Sequence, residues 1–242
     1  MKTLRHLFTA LLLLCATAAT AHNFEVDGIY YNVTDATNKR VEVTIGTKNY
    51  TGDVRIPANV IYDGTTYSVT TIGDRAFQYC SSLTSITIPN SVTTIGDRAF
   101  YNCSSLTSVI IGNSVTTIGA YAFDSCTSLA SITIPNSVTT IEYGAFYDCS
   151  KLSAVINFSN LTFSRGNSSY GHIAYYANKV INAPNGFIDG DYVWANKDNI
   201  YILAGYLGNA AQIKLPADYN GNNYVIGDYA FLLCYSLTSV TM

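Results

Sequence analysis

Charge is scarce in this chain. Asp, Glu, Lys and Arg together make up 12% of its 242 residues, about half the share of roughly 25% usual in soluble proteins. The net charge is -3, and no stretch gathers Lys and Arg into the stripe that neutralising phosphates requires, so a nucleic-acid partner is not expected. Histidine is almost missing as well. Only His22 and His172 lie beyond the first 21 residues. A Ser-His-Asp system needs a base held by an orienting acid. His172 could look only to Ser169 and Asp189, and their spacing does not favour it. No pair of catalytic carboxylates stands out, as glycoside hydrolysis would need. Acids such as Asp74 and Asp97 sit at turn or cap positions instead. Past the N-terminal segment there is no apolar run of about 20 residues, the length of a membrane-spanning helix. What is abundant is Tyr, with 20 copies, and apolar residues at 48%, enough for a packed core and against wholesale disorder. The polar surface has to be built from Ser, Thr, Asn and Tyr. Chemistry on this surface is expected to be recognition, with no enzyme activity and no cofactor.

The first 21 residues read as a secretory signal. Lys2 and Arg5 give a positive start, Leu7 to Ala16 a short apolar core, and Ala19-Thr20-Ala21 an A-x-A cleavage site. The mature chain is expected to begin at His22 and to be secreted or displayed on the cell surface. A lipid-anchor signal on Cys15 fits less well, because Leu14 stands where a small residue is needed.

A repeat dominates the rest. Ile72-Gly-Asp-Arg-Ala-Phe77, Ile95-Gly-Asp-Arg-Ala-Phe100, Ile118-Gly-Ala-Tyr-Ala-Phe123 and Ile141-Glu-Tyr-Gly-Ala-Phe146 follow one another at a spacing of 23 residues. Cys80, Cys103, Cys126 and Cys149 keep that period, as do Leu83, Leu106, Leu129 and Leu152. Four gapless copies are the signature of a solenoid. Within one copy, Ser108 to Ile111 is a β-rich run, Asn113-Ser114 turns the chain, and Val115 to Ile118 is a second extended run. Asp97 is placed to cap a short helical turn carrying Ala99, Phe100 and Cys103. Each coil then points Ile, Ala, Phe, Cys, Leu and Val inward, a face that one coil cannot bury alone and stacked coils about 4.8 Å apart can. The expected result is a continuous internal spine of Phe.

The cysteines fit that picture. Six are present; Cys15 leaves with the leader and five remain. No C-x-x-C pair suggests a metal site. Stacked side chains about 4.8 Å apart lie beyond the ~3.5–4.5 Å between Cβ atoms that a disulfide needs. A column of small buried thiols is expected. Asp189-Gly-Asp191 lacks the further spaced oxygens and closing Glu of a calcium loop and reads as a turn. Gly73, Gly96 and Gly119 recur as repeat punctuation, not as a phosphate loop.

The pattern I-G-x-x-A-F-x-x-C-x-x-L-x-x-I-x-I-P, read from Ile72 to Pro89, resembles the BspA-like leucine-rich-repeat family. Gly52 to Thr70, with Ile56-Pro57 and Tyr62-Asp-Gly-Thr-Thr-Tyr67, is similar to the segment that leads into such arrays. The resemblance covers most of residues 41 to 157 and again 213 to 242. It implies a curved solenoid, export and surface display, with adhesion or host-protein binding in some members. It does not choose a ligand, because the residues that define the family are core residues.

The fold expected is therefore a β-rich leucine-rich-repeat solenoid with short helical turns. Residues 22–68 form an N-terminal β cap and lead-in, residues 69–157 four coils, residues 158–211 a Tyr-rich, hairpin-rich insert, and residues 212–242 the start of a second array. That second array is signalled by Ile213-Lys-Leu-Pro216 and Ile226-Gly-Asp-Tyr-Ala-Phe231-Leu-Leu-Cys234, and it stops at Met242 in mid-repeat, as a fragment of a longer array does.

In such a solenoid the strand positions between inward residues face out on the concave side. Here they read Ser85, Ser108, Ser131 and Ala154, then Thr87, Ile110, Thr133 and Ile156. This uncharged strand face is the expected binding surface for an unidentified protein partner, with Ile110 and Ile156 as exposed apolar contacts. A second reading has a glycan partner or a scaffold role using the insert, around Tyr170, Tyr175, Tyr176, Tyr192 and Trp194, since aromatic rings serve as contact anchors or as a small core. A third has a hydrolase site in the insert around His172.

Overall fold

A spacing of 23 residues per coil stacks like on like. The computed structural model describes residues 22–228 and 230–242; the expected signal and its cleavage site lie outside the described residues. Two strands recur in each coil. Leu83–Thr87 pairs in parallel with Ser108–Ile110, Ser85 opposite Ser108 and Thr87 opposite Ile110. Thr94–Ile95, Thr117–Ile118 and Thr140–Ile141 form a second parallel ladder, Ile on Ile. Parallel pairing follows from winding: every coil crosses each face in the same direction. Between the two ladders the Phe side chains stack with ring centroids 4.9, 5.0 and 5.2 Å apart from Phe77 to Phe146. All four are fully buried, with the Ala, Cys and Leu columns beside them. At about 1.5–3 kcal/mol for each fully buried large apolar side chain, these columns are the main source of stability.

The corner carrying the Phe is not helical, contrary to the sequence expectation. Its amides alternate between two destinations. Ala99, Tyr101 and Cys103 donate to carbonyls three residues back in their own coil. Arg98, Phe100 and Asn102 donate instead to Ala120, Ala122 and Asp124 of the next coil, at 2.9, 2.7 and 2.8 Å. A helix would keep all of these bonds to itself. The residues that turn the amides outward hold left-handed backbone, Arg98 at φ 53° and Asn102 at φ 58°, and the inter-coil bonds stabilise that costly conformation. Asp97 likewise caps its neighbour and not its own turn: its carboxylate accepts the amide of Ala120, as Asp74 accepts that of Asp97, both at 2.9 Å.

Close approach of the coils explains one glycine column. A Cβ on Gly119 would lie 2.7 Å from the Asp97 carboxylate, and one on Gly96 2.5 Å from that of Asp74. Where the preceding residue of this column becomes Ala120, the glycine position becomes Glu142.

At the N-terminal end Phe24–Val26, Ile29–Asp35 and Arg40–Val43 form an antiparallel meander, whose last strand pairs in parallel with Thr65–Ile72 and so extends the short-strand sheet. Gly52–Arg55 pairs with Leu83–Thr87 and extends the other. Tyr50 lies 4.4 Å from Phe77 and closes the spine.

The stretch after residue 157 divides. Lys179–Asn182 pairs in parallel with Ala154–Asn157, and the amide of Phe146 donates to Gly171 at 2.7 Å. Residues 158–182 are thus a further, irregular coil, which corrects the boundary expected at 158. Asn157, in the column of Ile88, Ile111 and Ile134, is fully buried. Its amide group donates to Asn182 Oδ1 at 2.9 Å, and its own Oδ1 accepts from Ser159. The hairpin strands are Phe187–Asp189, Tyr192–Lys197 and Ile200–Tyr206. The last of them runs parallel to Tyr224–Ile226, and Gln212–Lys214 pairs with Ser239–Thr241. Among the described residues no helix is long and apolar enough to cross a membrane.

Candidate binding surfaces

The outward positions of the long strands fall in two sheets: Ser85 and Thr87 pair with Ser108 and Ile110 in one, and Ser131 and Thr133 pair with Ala154 and Ile156 in the next. Ser108 and Ser131 are exposed, while Ser85, Thr87 and Thr133 are half-exposed. Ile110 is 58% exposed between the Thr87 and Thr133 coils. Ile156 is a correction: it is only 7% exposed, packed with Phe158, Ile181, Val193 and Ala195. The hairpin folds over that end of the sheet and removes Ile156 from any binding face. Sequence reasoning also missed Asp53. Its carboxylate accepts the hydroxyls of Ser85 and Thr84, both at 2.8 Å, and these bonds hold it below the usual carboxylate range. Beside the short-strand ladder, exposed hydroxyls tie one coil to the one before it. Thr93, Thr116 and Thr139 donate to the carbonyls of Thr70, Thr93 and Thr116 one coil earlier.

The thiol column is as expected and chemically quiet. The described cysteines are unpaired, and Cys80, Cys103, Cys126 and Cys149 are buried. Cys103, Cys126 and Cys149 donate to Phe77, Phe100 and Phe123 carbonyls at 3.1–3.3 Å. Burial pushes the Cys149 thiol up to about 12 and raises Cys80, Cys103 and Cys126 as well. Such thiols do not supply the thiolate that nucleophilic or metal chemistry needs.

The aromatic candidates of the insert separate into two groups. Trp194, only 1% exposed, packs with Leu203, Leu215 and Ala230, and Tyr192 lies against them; these two are core. Tyr170, Tyr175 and Tyr176 are exposed. His172 is surrounded by Tyr147, Tyr175 and Tyr143, with centroids 5.2, 5.7 and 6.4 Å away. Ser169 and Asp189 make no hydrogen bond to it among the described residues, and Asp189 accepts the Tyr219 hydroxyl instead. No catalytic triad is assembled there.

A second surface was not legible from the strand pattern. It runs along the Phe corner, on the outside of the turns. Tyr79 meets Tyr101 at 5.5 Å and 88°, and Tyr121 meets Tyr143 at 5.5 Å and 81°. Tyr143 is 70% exposed. The Arg98 guanidinium lies 5.4 Å above the Tyr121 ring. Tyr79, Tyr101, Tyr121 and Arg98 surround a groove of about 480 Å³, with Arg75, Gln78 and Asp124 in its wall, and Tyr143 stands beyond it against Tyr121. Burial raises the Asp124 carboxyl above its ordinary range.

Coils of fixed length, stacked through columns of Leu, Ile and Phe and joined by parallel strand pairing, define a leucine-rich-repeat solenoid. The model of the BspA type leucine rich repeat region matches residues 63–176 in six copies. The chain belongs to this BspA-type leucine-rich-repeat family. Similar solved structures include a leucine-rich repeat protein from Bacteroides capillosus, 34% identical over 48% of this chain and 83% of that one, TM-score 0.43. The leucine-rich repeat protein of T. pallidum is 24% identical over 67% of this chain and 83% of its own, TM-score 0.48. A leucine rich cell surface protein from Faecalibacterium prausnitzii is 22% identical over 93% and 74%, TM-score 0.43. A search of curated proteins gave no match.

Proposed function

We propose that the chain is an exported protein-interaction or adhesion module that binds a protein partner on the outward face of its long-strand sheet, without bond-making chemistry. The supporting observation is Ile110: an aliphatic side chain 58% exposed on a hydroxyl-rich β face, opposite Thr87 in the ladder. Ser85, Ser108, Ser131 and Thr133 complete the patch. The Ile110 strand is held in a parallel ladder to the Thr87 strand, so its backbone is already ordered and binding there costs little ordering entropy. The family to which the chain belongs is one of interaction modules, which is consistent with this reading. The test is capture of extracellular proteins by the immobilised chain, beside a variant with Thr87→Glu, Ile110→Glu and Thr133→Glu. A partner captured by the parent and lost by the variant supports the reading. A partner retained by the variant places the interface elsewhere.

A further inference from the structure

Repeats inside one chain form an internal alignment, and the corner is where they disagree. The core columns keep Ala, Phe, Cys and Leu in all four coils. The four outward corner positions do not: they read Asp74, Asp97, Ala120, Tyr143; Arg75, Arg98, Tyr121, Gly144; Gln78, Tyr101, Asp124, Tyr147; and Tyr79, Asn102, Ser125, Asp148. Of these sixteen only Asp124 and Gly144 are buried, and exposed positions favour polar and charged residues. Five of the sixteen are Tyr, against 20 in the 242 residues of the chain.

Asp124 adds an independent sign. It is only 6% exposed, yet it lines the groove. Its Oδ1 accepts the Ser125 hydroxyl at 2.7 Å, and among the described residues no other hydrogen bond reaches the carboxylate. An ionised carboxylate has about four lone-pair sites, and among the described residues Ser125 meets one of them. A ligand that donates hydroxyls would complete it. The groove sets Arg75 and Arg98 around that carboxylate, so planar, bidentate hydrogen-bonding groups alternate with aromatic rings. The Tyr121 ring has the Arg98 guanidinium over it, and Tyr79 and Tyr143 are exposed to water, unlike the dry centre of a protein–protein hot spot.

We propose that this corner is a carbohydrate-binding surface for a neutral, linear glycan laid along the solenoid axis. The apolar faces of its pyranose rings stack on Tyr79, Tyr143 and Tyr147, and its hydroxyls are met by Asp124, Gln78 and Arg75. The site and the class of partner are both distinct from those of the sheet face, so either reading stands if the other fails.

The test is affinity electrophoresis of the full chain through native gels containing hydroxyethylcellulose, galactomannan or mixed-linkage β-glucan, with a polygalacturonate gel alongside. The main variant combines Tyr79→Asn and Tyr143→Ala. Each substitution installs the residue that another coil carries at the same position, Asn102 and Ala120, so the turn geometry is kept, including the left-handed backbone of Tyr79 at φ 62°. Asp124→Asn is the second variant; it keeps the shape and removes the charge. Retardation in at least one neutral gel is expected, weakened about tenfold by the double Tyr variant, the size set by losing two stacking contacts. Asp124→Asn weakens it too, and the triple Glu variant of the sheet face leaves it unchanged. No retardation in any neutral gel overturns the proposal, as does retardation that survives the Tyr substitutions. Retardation confined to polygalacturonate and abolished by salt means charge attraction to Arg75 and Arg98 and also overturns it. Capture of a protein that the double Tyr variant loses, with no glycan response, makes the corner a protein interface instead.

Discussion

Replacing Gly119 by Ala should destabilise the solenoid, and removing the Asp97 carboxylate should recover part of the loss. Gly119 carries no left-handed φ, so Ala is acceptable to the backbone and the cost comes from contact alone. The new Cβ would lie 2.7 Å from Asp97 Oδ1 and 2.8 Å from both the Asp97 amide nitrogen and the Gly96 carbonyl carbon. Overpacking of this kind costs about 1–3 kcal/mol. Asp97→Ala by itself loses the bond to the Ala120 amide, about 1 kcal/mol for an exposed site. In the double variant the carboxylate is no longer in the way, but the backbone contacts persist. The combined loss should therefore fall short of the sum by about 0.5–1.5 kcal/mol, within the usual coupling of touching residues. The chain contains the paired exchange already, since Ala120 precedes Glu142 in the same columns. Urea unfolding of the four proteins at one pH and ionic strength measures the coupling. Additivity within about 0.5 kcal/mol would refute the claim that the carboxylate of one coil dictates glycine in the next.

The inside–outside assignment of the coil predicts that Phe123→Ala costs about 3–5 kcal/mol while Ile110→Ala stays within about 0.5 kcal/mol; equal losses in denaturant titrations would contradict it. Asn157→Ile restores the residue type of the other coils but strips Asn182 and Ser159 of their partner, so a loss of about 1–3 kcal/mol is expected; a gain would show that the polar cluster does not hold the fifth coil. The thiol column predicts alkaline lability. The Cys149 thiol sits near 12 in the folded chain against 9.0 when free, so its folded value is the higher one. Its stabilising contribution is whole below about pH 9 and is lost as pH rises from there toward 12. Cys149→Ala should flatten the fall of the melting temperature over that window, and an unchanged profile would contradict the reading. In the native protein iodoacetamide should label Cys234, which is only half-buried, and spare the four buried thiols; mass spectrometry of the labelled chain decides.

The stacked columns were legible because burial in a solenoid repeats with the sequence: Phe77, Phe100, Phe123 and Phe146 announce their own neighbours. The corner was misread as helical because its hydrogen bonds are shared with the next coil, and a pattern within one coil does not reveal where Arg98 and Phe100 send their amides. Ile156 looked exposed because its column is exposed at Ile110; its burial depends on Ile181 and Val193, which arrive from later in the chain without keeping the period. The corner tyrosines went unread for a related reason. A consensus keeps what the coils share, and at residues 74, 75, 78 and 79 and their counterparts the coils differ. Comparing the copies column by column for difference would have found Tyr143 and Asp124.

Residues 72–77 and 95–100 are identical, Ile-Gly-Asp-Arg-Ala-Phe in both, and they occupy equivalent points of successive coils. A crossover in the gene between these two segments deletes or duplicates one whole coil. The product still pairs Thr with Thr and Ile with Ile, because the two cut ends are interchangeable in three dimensions. The solenoid is thus a structure whose length can change by recombination without refolding. Each such event also shortens or lengthens the outer row of corner side chains by one step, so a lineage can remodel what it touches by altering the number of coils before any single residue is substituted.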